Sequence, residues 1–124
     1  MKRFVLLILM FVAIAAQAWA AGKNISAREA KVLLDGNKKI FLMDVRTPEE
    51  FSRGRLPGAV LIPIGELERR IAEVPGNRTI VVYCTVGSRS NTAAKLLAQK
   101  GYRNVYNITY GLLDWYRNGF PLQR

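Results

Sequence analysis

Thr79-Ile80-Val81-Val82-Tyr83-Cys84-Thr85-Val86-Gly87-Ser88-Arg89-Ser90 is the stretch that decides the fold. Thr79 to Tyr83 is β-branched or aromatic and uncharged, which suits a strand buried on both faces. Cys84 follows directly, Gly87 sits mid-turn, and Ser90 to Lys100 reads as a helix closed by Gly101.

The alternation extends outward in both directions. Asn24-Ile25-Ser26 predicts a short strand entering a helix. Ser26 and Glu29 have capping-box spacing there, and Ala30, Val32, Leu33 and Leu34 precede the stop at Asp35-Gly36-Asn37. Ile40 to Val45 is a short apolar run, a second buried strand. Thr47-Pro48-Glu49-Glu50 opens a helix with Thr at N-cap, Pro at N1 and Glu at N3, and Gly54 with Leu56-Pro57-Gly58 keeps it short. Ala59 to Ile62 predicts a strand stopped by Pro63. Glu66 to Val74 predicts a surface helix with Leu67, Ile71 and Val74 inward, ended by Pro75-Gly76-Asn77. On the far side, Val105 to Ile108 is a strand, and Asp114 to Asn118 a closing helix with Trp115 on its inner face. Apolar strands alternating with helices give an α/β fold, a mainly parallel central sheet with helices on both faces. Ligands in such sheets bind beyond the carboxyl ends of the strands, where Cys84 stands.

The chain has 124 residues, half of them hydrophobic, which suits one domain. Residues 1–20 read as a signal peptide. Lys2 and Arg3 precede the apolar stretch Phe4 to Ala16, and Ala18-Trp19-Ala20 supplies small residues at a cleavage site. The single domain is then residues 21–124, exported and periplasmic. The alternative is an uncleaved anchor with the domain facing the periplasm. Removing Lys2 and Arg3 takes the formal charge from +10 to +8. A basic surface serves solubility or attracts anions. The cations are scattered (Lys38-Lys39, Arg53 and Arg55, Arg69-Arg70) without aromatic interleaving, which argues against nucleic acid.

One cysteine and no histidine are present. A lone thiol forms no intrachain disulfide, so Cys84 is either a buried, inert hydrophobe or kept for its chemistry. Without histidine there is no Ser-His-Asp triad, Cys-His pair or His-based metal site. From Cys84 to Ser90 the chain favours chemistry. A short turn around Gly87 lets successive N–H groups face inward as an anion nest. The following helix aims its positive end at the same spot, and Arg89 adds a charge and a fork of donors. An ordinary thiol, pKa about 8.5, is only about 3% ionised at pH 7, and each of these features favours the thiolate. The loop therefore predicts an acidic, exposed Cys84.

These residues resemble the active-site loop of the rhodanese family, Cys-x-x-Gly-x-Arg and a small residue. Asp44-Val45-Arg46 with Glu49-Glu50-Phe51 is similar to the family's Asp-x-Arg…Glu-[Phe/Tyr] segment. Gly54-Arg55-Leu56-Pro57-Gly58-Ala59 is similar to its Gly-His-Ile-Pro-Gly-Ala motif, and Gly111, Trp115, Gly119 and Pro121 to its C-terminal signature. The resemblance covers nearly all of residues 21–124. It implies a sulfurtransferase in which Cys84 accepts sulfur as a persulfide and the amides of Thr85, Val86, Gly87, Ser88 and Arg89 cradle it. Arg89 would orient an anionic donor, thiosulfate first among them, while Asp44 and Arg46 brace the loop from beneath. It implies a small-molecule donor and acceptor, or a protein thiol as acceptor, with no cofactor and no metal. Two positions depart from the pattern: Arg55 stands for the usual His, with Asp44 as its expected partner, and Tyr110 stands for a Gly. The rival readings are a non-enzymatic persulfide carrier or sensor, and a phosphatase or arsenate reductase of the same fold. The latter use Cys-x5-Arg, one residue longer than the spacing from Cys84 to Arg89.

The leader reading makes Ala21 the mature N-terminus. Intact-mass measurement of the exported protein should find it there, and a full-length, membrane-bound species would contradict it.

Overall fold

The computed structural model describes residues 22–124. The leader expected over residues 1–20 lies outside the described residues. Five strands form one sheet in the order β1-β5-β4-β2-β3: β1 Lys23–Ile25, β2 Phe41–Asp44, β3 Val60–Leu61, β4 Ile80–Tyr83 and β5 Val105–Ile108. Every pairing between them is parallel, so the sheet is wholly parallel. The helices are α1 Ala27–Gly36, α2 Pro48–Arg53, α3 Ser88–Gln99 and α4 Gly111–Arg117.

Strand β4 lies at the centre and shows why the sheet is covered twice. Its side chains alternate across the sheet. Ile80 and Val82 join Met43, Leu67, Ala93, Ala94 and Leu97 under α3, and Cys84 belongs to that same cluster. Val81 and Tyr83 join Ile25, Ala27, Ala30, Leu42 and Trp115 under α1 and α4. All four β4 residues are fully buried, and removing each such side chain from water contributes about 1.5–3 kcal/mol. Trp115 is fixed by its indole N–H, which donates to the Pro121 carbonyl at 2.8 Å, and by edge-on contact with Phe120.

Both predicted capping boxes are present. Ser26 and Glu29 cap α1, and Thr47 and Glu50 cap α2 with Pro48 in its first turn. Strand boundaries fall within about a residue of those predicted. Helical boundaries differ more. The predicted helix from Glu66 to Val74 is instead two 3-10 turns, Ile64–Glu66 and Ile71–Glu73. Pro63 and Pro75 bound the segment, and its turns close through the tighter three-residue bonds, Leu67 N–H to the Ile64 carbonyl and Val74 N–H to the Ile71 carbonyl. The Tyr102 hydroxyl donates to the Ile71 and Val74 carbonyls, and Arg70 pairs with both Glu66 and Glu73. Leu67 and Val74 still face the core, so the apolar stripe does its work without a continuous helix.

Beneath the carboxyl ends of the strands lies a buried ion pair. Asp44 accepts from Arg46 through both oxygens: Nε lies 3.0 Å from each, Nη2 2.7 Å from Oδ2, and the backbone N–H 2.9 Å from Oδ1. Arg46 also donates to the carbonyl of Glu50 within α2 and to that of Gly54 at its C-cap, tying α2 to β2. This is where Arg55 departs from expectation. Asp44 is fully engaged by Arg46, and Arg55 instead donates to the Phe51 carbonyl and stacks on the Phe51 ring. Its backbone forms an antiparallel bridge with Gln123.

Removing one partner of a buried pair strands the other charge. Arg46→Met should therefore destabilise the domain by about 3–5 kcal/mol in urea unfolding, and Asp44→Asn in the same chain should recover part of that loss. A loss under about 1 kcal/mol would mean that the pair is not what anchors α2.

Candidate active site

Cys84 leaves β4 at its carboxyl end, and the next three residues turn the chain into α3. That helix begins at Ser88, two residues before the predicted start, because Gly87 is its N-cap and the Gly87 carbonyl accepts from Asn91 N–H. Gly87 has φ 103°, in the left-handed region. A Cβ there would collide with the Thr109 carbonyl, so the position needs glycine for conformation and for space.

The turn wraps around the sulfur. Gly87 N–H donates to Cys84 Sγ at 3.1 Å and Ser90 N–H at 3.4 Å. The Ser90 hydroxyl lies 3.4 Å from Sγ and 3.1 Å from the Gly87 carbonyl, so its single proton serves one or the other, and a thiolate draws it to the sulfur. Cys84 is fully buried rather than exposed as predicted, because the sulfur sits on the core side of β4 under its own loop. Burial alone would push the thiol pKa up. The Ser90 hydroxyl and the N–H groups of Ser90, Gly87 and Val86 outweigh it, and the pKa lies below the ordinary thiol value. Ser90 was missed as a site residue: its short side chain read as a helix start, and only the earlier start of α3 turns it onto the sulfur.

The predicted cradle residues occupy distinct places. Gly87 is buried against the sulfur, Val86 and Ser88 are exposed, and Thr85 and Arg89 are half-buried. The Arg89 fork goes first to Glu50, with Cys84 the lesser partner. Nη1 and Nη2 donate to the two oxygens of Glu50, at 2.7 and 2.9 Å. Thr85 donates to Glu50 at 3.0 Å, and Arg89 to Thr85 at 3.3 Å. The Arg89 guanidinium holds the Glu50 carboxyl well below the usual carboxylate range, helped by Thr47 and Thr85. Asp44 and Arg46 stand one step back. Arg46 grips the backbone of α2, and α2 carries Glu50.

Helix α4 closes the loop from outside. It starts at Gly111, three residues before the predicted start, and its Leu112 and Leu113 N–H groups donate to the Cys84 and Thr85 carbonyls at 2.8 and 3.1 Å. Gly111 has φ 57°, and a Cβ there would strike both of those carbonyls. A recess of about 140 Å³ beside the loop is lined by Val86, Tyr110, Leu113, Asp114 and Arg117. A bigger cavity of about 320 Å³, bordered by Leu34, Leu42, Pro57 and Trp115, shares no residue with the loop.

Residues 26–118 match the family model described as the rhodanese-like domain. A protein of Allochromatium vinosum named as a sulfurtransferase is 37% identical over 89 residues, covering 72% of this chain and 83% of its own. A Mycobacterium tuberculosis protein named as an HTH-type transcriptional regulator is 41% identical over 86 residues, 68% of this chain but only 38% of its own length. The chain spans half or less of several such relatives. The crystal structure of a rhodanese-related protein from Thermoplasma volcanium superposes with a TM-score of 0.73 at 29% identity, over 82% of this chain and 97% of that one.

Because the Ser90 hydroxyl is one of the groups that lower the Cys84 pKa, Ser90→Ala, which removes it and keeps the backbone N–H, should raise the thiol pKa. The pH midpoint of Cys84 alkylation should move up, and the rate at pH 7 should fall several-fold. The sign carries over to stability. A lowered thiol pKa contributes stability that is fully present above the unfolded value and is lost as pH falls through the folded one. Wild-type stability should thus rise with pH across that window, and less so in Ser90→Ala. Unchanged midpoint and slope would assign the hydroxyl to packing alone.

Proposed function

The chain belongs to the rhodanese-like domain family, and on that premise we propose that it is a sulfurtransferase that carries sulfane sulfur as a persulfide on Cys84. The observation that carries this reading is the convergence of the Gly87 and Ser90 amides and the Ser90 hydroxyl on one sulfur atom. They make a cradle for a thiolate, and the same donors suit the terminal sulfur of a persulfide anion.

Thiosulfate is the proposed donor. The Cys84 thiolate attacks its outer sulfur, a new S–S bond forms, and the bond to the central sulfur breaks. Sulfite leaves with the electron pair, and Cys84 is left as Cys–S–S⁻. A thiophile such as cyanide then attacks the terminal sulfur and departs as thiocyanate, returning the thiolate. A small or protein thiol would accept sulfur in the same way. Since Cys84 is buried, loading includes a step in which the groups around the loop part. Two chemical strokes separated by product release imply ping-pong kinetics.

The spacing from Cys84 to Arg89 supports sulfur over phosphate. The amides already touch the sulfur itself, and the loop is one residue shorter than Cys-x5-Arg. The apolar segment with Ala18-Trp19-Ala20 supports export, with residues 21–124 working as one domain outside the cytoplasm. Fold does not fix function, so turnover is what separates an enzyme from a persulfide carrier.

Incubation of reduced protein with thiosulfate should raise the intact mass by one sulfur atom, and cyanide should reverse it with release of thiocyanate. Cys84→Ser should fold and show neither change. Loading only from another donor, such as a partner persulfide, would reassign the substrate. Loading without turnover to any acceptor would make the protein a carrier. If no donor loads Cys84, the sulfurtransferase reading is wrong.

A further inference from the structure

We propose that Glu50 sets the charge selectivity of the Cys84 loop by holding the Arg89 guanidinium as its own counterion. It leaves the backbone amides, and only part of Arg89's charge, to meet an incoming anion. The inference rests on the proposed sulfur transfer for its physiological meaning and on the geometry of the pair for its substance.

Glu50 is not a free surface carboxylate. Oε1 accepts from the Thr47 N–H at 3.1 Å and the Thr47 hydroxyl at 3.1 Å while also receiving Arg89 Nη1. Oε2 receives Thr85 Oγ1 and Arg89 Nη2. The capping box of α2 thus fixes the carboxylate, and the Arg46 contacts fix α2. The guanidinium it engages sits at the mouth of the loop, about one-third exposed. A partly exposed ion pair adds little to stability, so holding the fold together is a weak reason for so complete a set of contacts.

Arg89 has a second anionic neighbour. Its basicity is raised first by Glu50 and, in lesser part, by the Cys84 thiolate. The two anions therefore compete for one cation, and Glu50 holds the two-pronged share. A dianionic donor entering the loop must draw Arg89 away from Glu50 and approach a fixed carboxylate. A neutral reagent meets neither obstacle. Glu50 acts through Arg89, as a positioning residue that grades donors by charge.

Iodoacetate and iodoacetamide are alike in size and differ by one negative charge, and Cys84 is the sole cysteine. The ratio of their alkylation rates reads the field at the sulfur, and the thiolate fraction cancels from it. Glu50→Gln keeps the length and an oxygen acceptor but removes the charge. It should raise the iodoacetate-to-iodoacetamide ratio by roughly three- to tenfold, the range for one charge across a partly solvated site. KM for thiosulfate should fall by a similar factor, with a smaller change in kcat. In an Arg89→Met background the same substitution should raise the ratio by a much smaller factor, the part that the carboxylate exerts directly. Should the Gln variant fail to fold, Glu50→Asp carries the test, since it falls short of Arg89 and should raise the ratio to a smaller extent. A ratio that is unchanged or lowered in the variant that folds overturns the proposal. So does an equal rise without Arg89, which would make Glu50 a direct field and not a hold on Arg89. The alkylation ratio needs no sulfur transfer. If no donor loads the wild type while the ratio responds as stated, the transferase reading falls and the role of Glu50 stands.

Discussion

Two hydrogen bonds, from Leu112 and Leu113 of α4 to the carbonyls of Cys84 and Thr85, decide what the active loop can do. In a trans peptide group the C=O and the following N–H point in opposite directions. Drawing the Thr85 carbonyl outward to α4 turns the Val86 N–H inward, where it joins those of Gly87 and Ser90 at the sulfur. Only then do the loop amides form a concave donor set and not an ordinary turn. The arrangement demands that α4 begin against the loop backbone, which is why residue 111 has no side chain. Gly87 answers the same demand from the other side, where its neighbour is the Thr109 carbonyl. Residues 84, 87 and 111 thus form one constraint spread over three elements.

A second chain of contacts links the core to the mouth of the site. Asp44 at the end of β2 holds Arg46, Arg46 holds the Glu50 and Gly54 carbonyls of α2 and its C-cap, and α2 presents Glu50 to Arg89 and Thr85. Burying the first pair costs desolvation that its Coulomb attraction repays only with good geometry. Here the geometry is good: every oxygen of Asp44 is paired, and the remaining donors of Arg46 meet backbone carbonyls. Hydrophobic replacements of similar volume often equal a buried ion pair in stability, but they have no donors to place α2 at a fixed height against the loop.

The parts legible in the sequence were those governed by local rules. Ile80 to Tyr83 is uncharged and β-branched enough to announce a central strand, and Thr47-Pro48-x-Glu50 announces a capped helix. Cys84, Gly87 and Arg89 were found because their spacing is itself the motif. What stayed hidden depended on partners distant in the chain. In the sequence Ser88 reads as a loop residue and Gly111 only as part of the C-terminal signature, since nothing nearby indicates that their helices start on top of a strand end. The burial of Cys84 and the contact from Ser90 follow from that early start. Glu50 was visible as a capping residue, yet its meeting with Arg89 spans 39 positions and rests on β2 lying beside β4. The segment from Leu67 to Val74 has a helical apolar period, but its Ile71 and Val74 carbonyls are taken by the Tyr102 hydroxyl from a distant part of the chain.

The absence of histidine from the chain fits the chemistry proposed for it. A serine or cysteine hydrolase needs a base because its nucleophile starts protonated and its leaving group needs a proton. In the sulfur cycle the nucleophile begins as a thiolate, sulfite leaves as an anion, and the second stroke returns the thiolate. No proton has to move at the reacting atoms. What the site must supply is a stable place for negative charge on sulfur in both half-reactions. Fixed N–H dipoles do this without titrating, and they remain in place whether one sulfur or two occupy the cradle. Arg89 cannot take over that task while Glu50 engages its fork. The two charge systems are therefore separated by role: the amides and Ser90 stabilise the sulfur anion, and the ionic pair at the mouth governs which anions reach it.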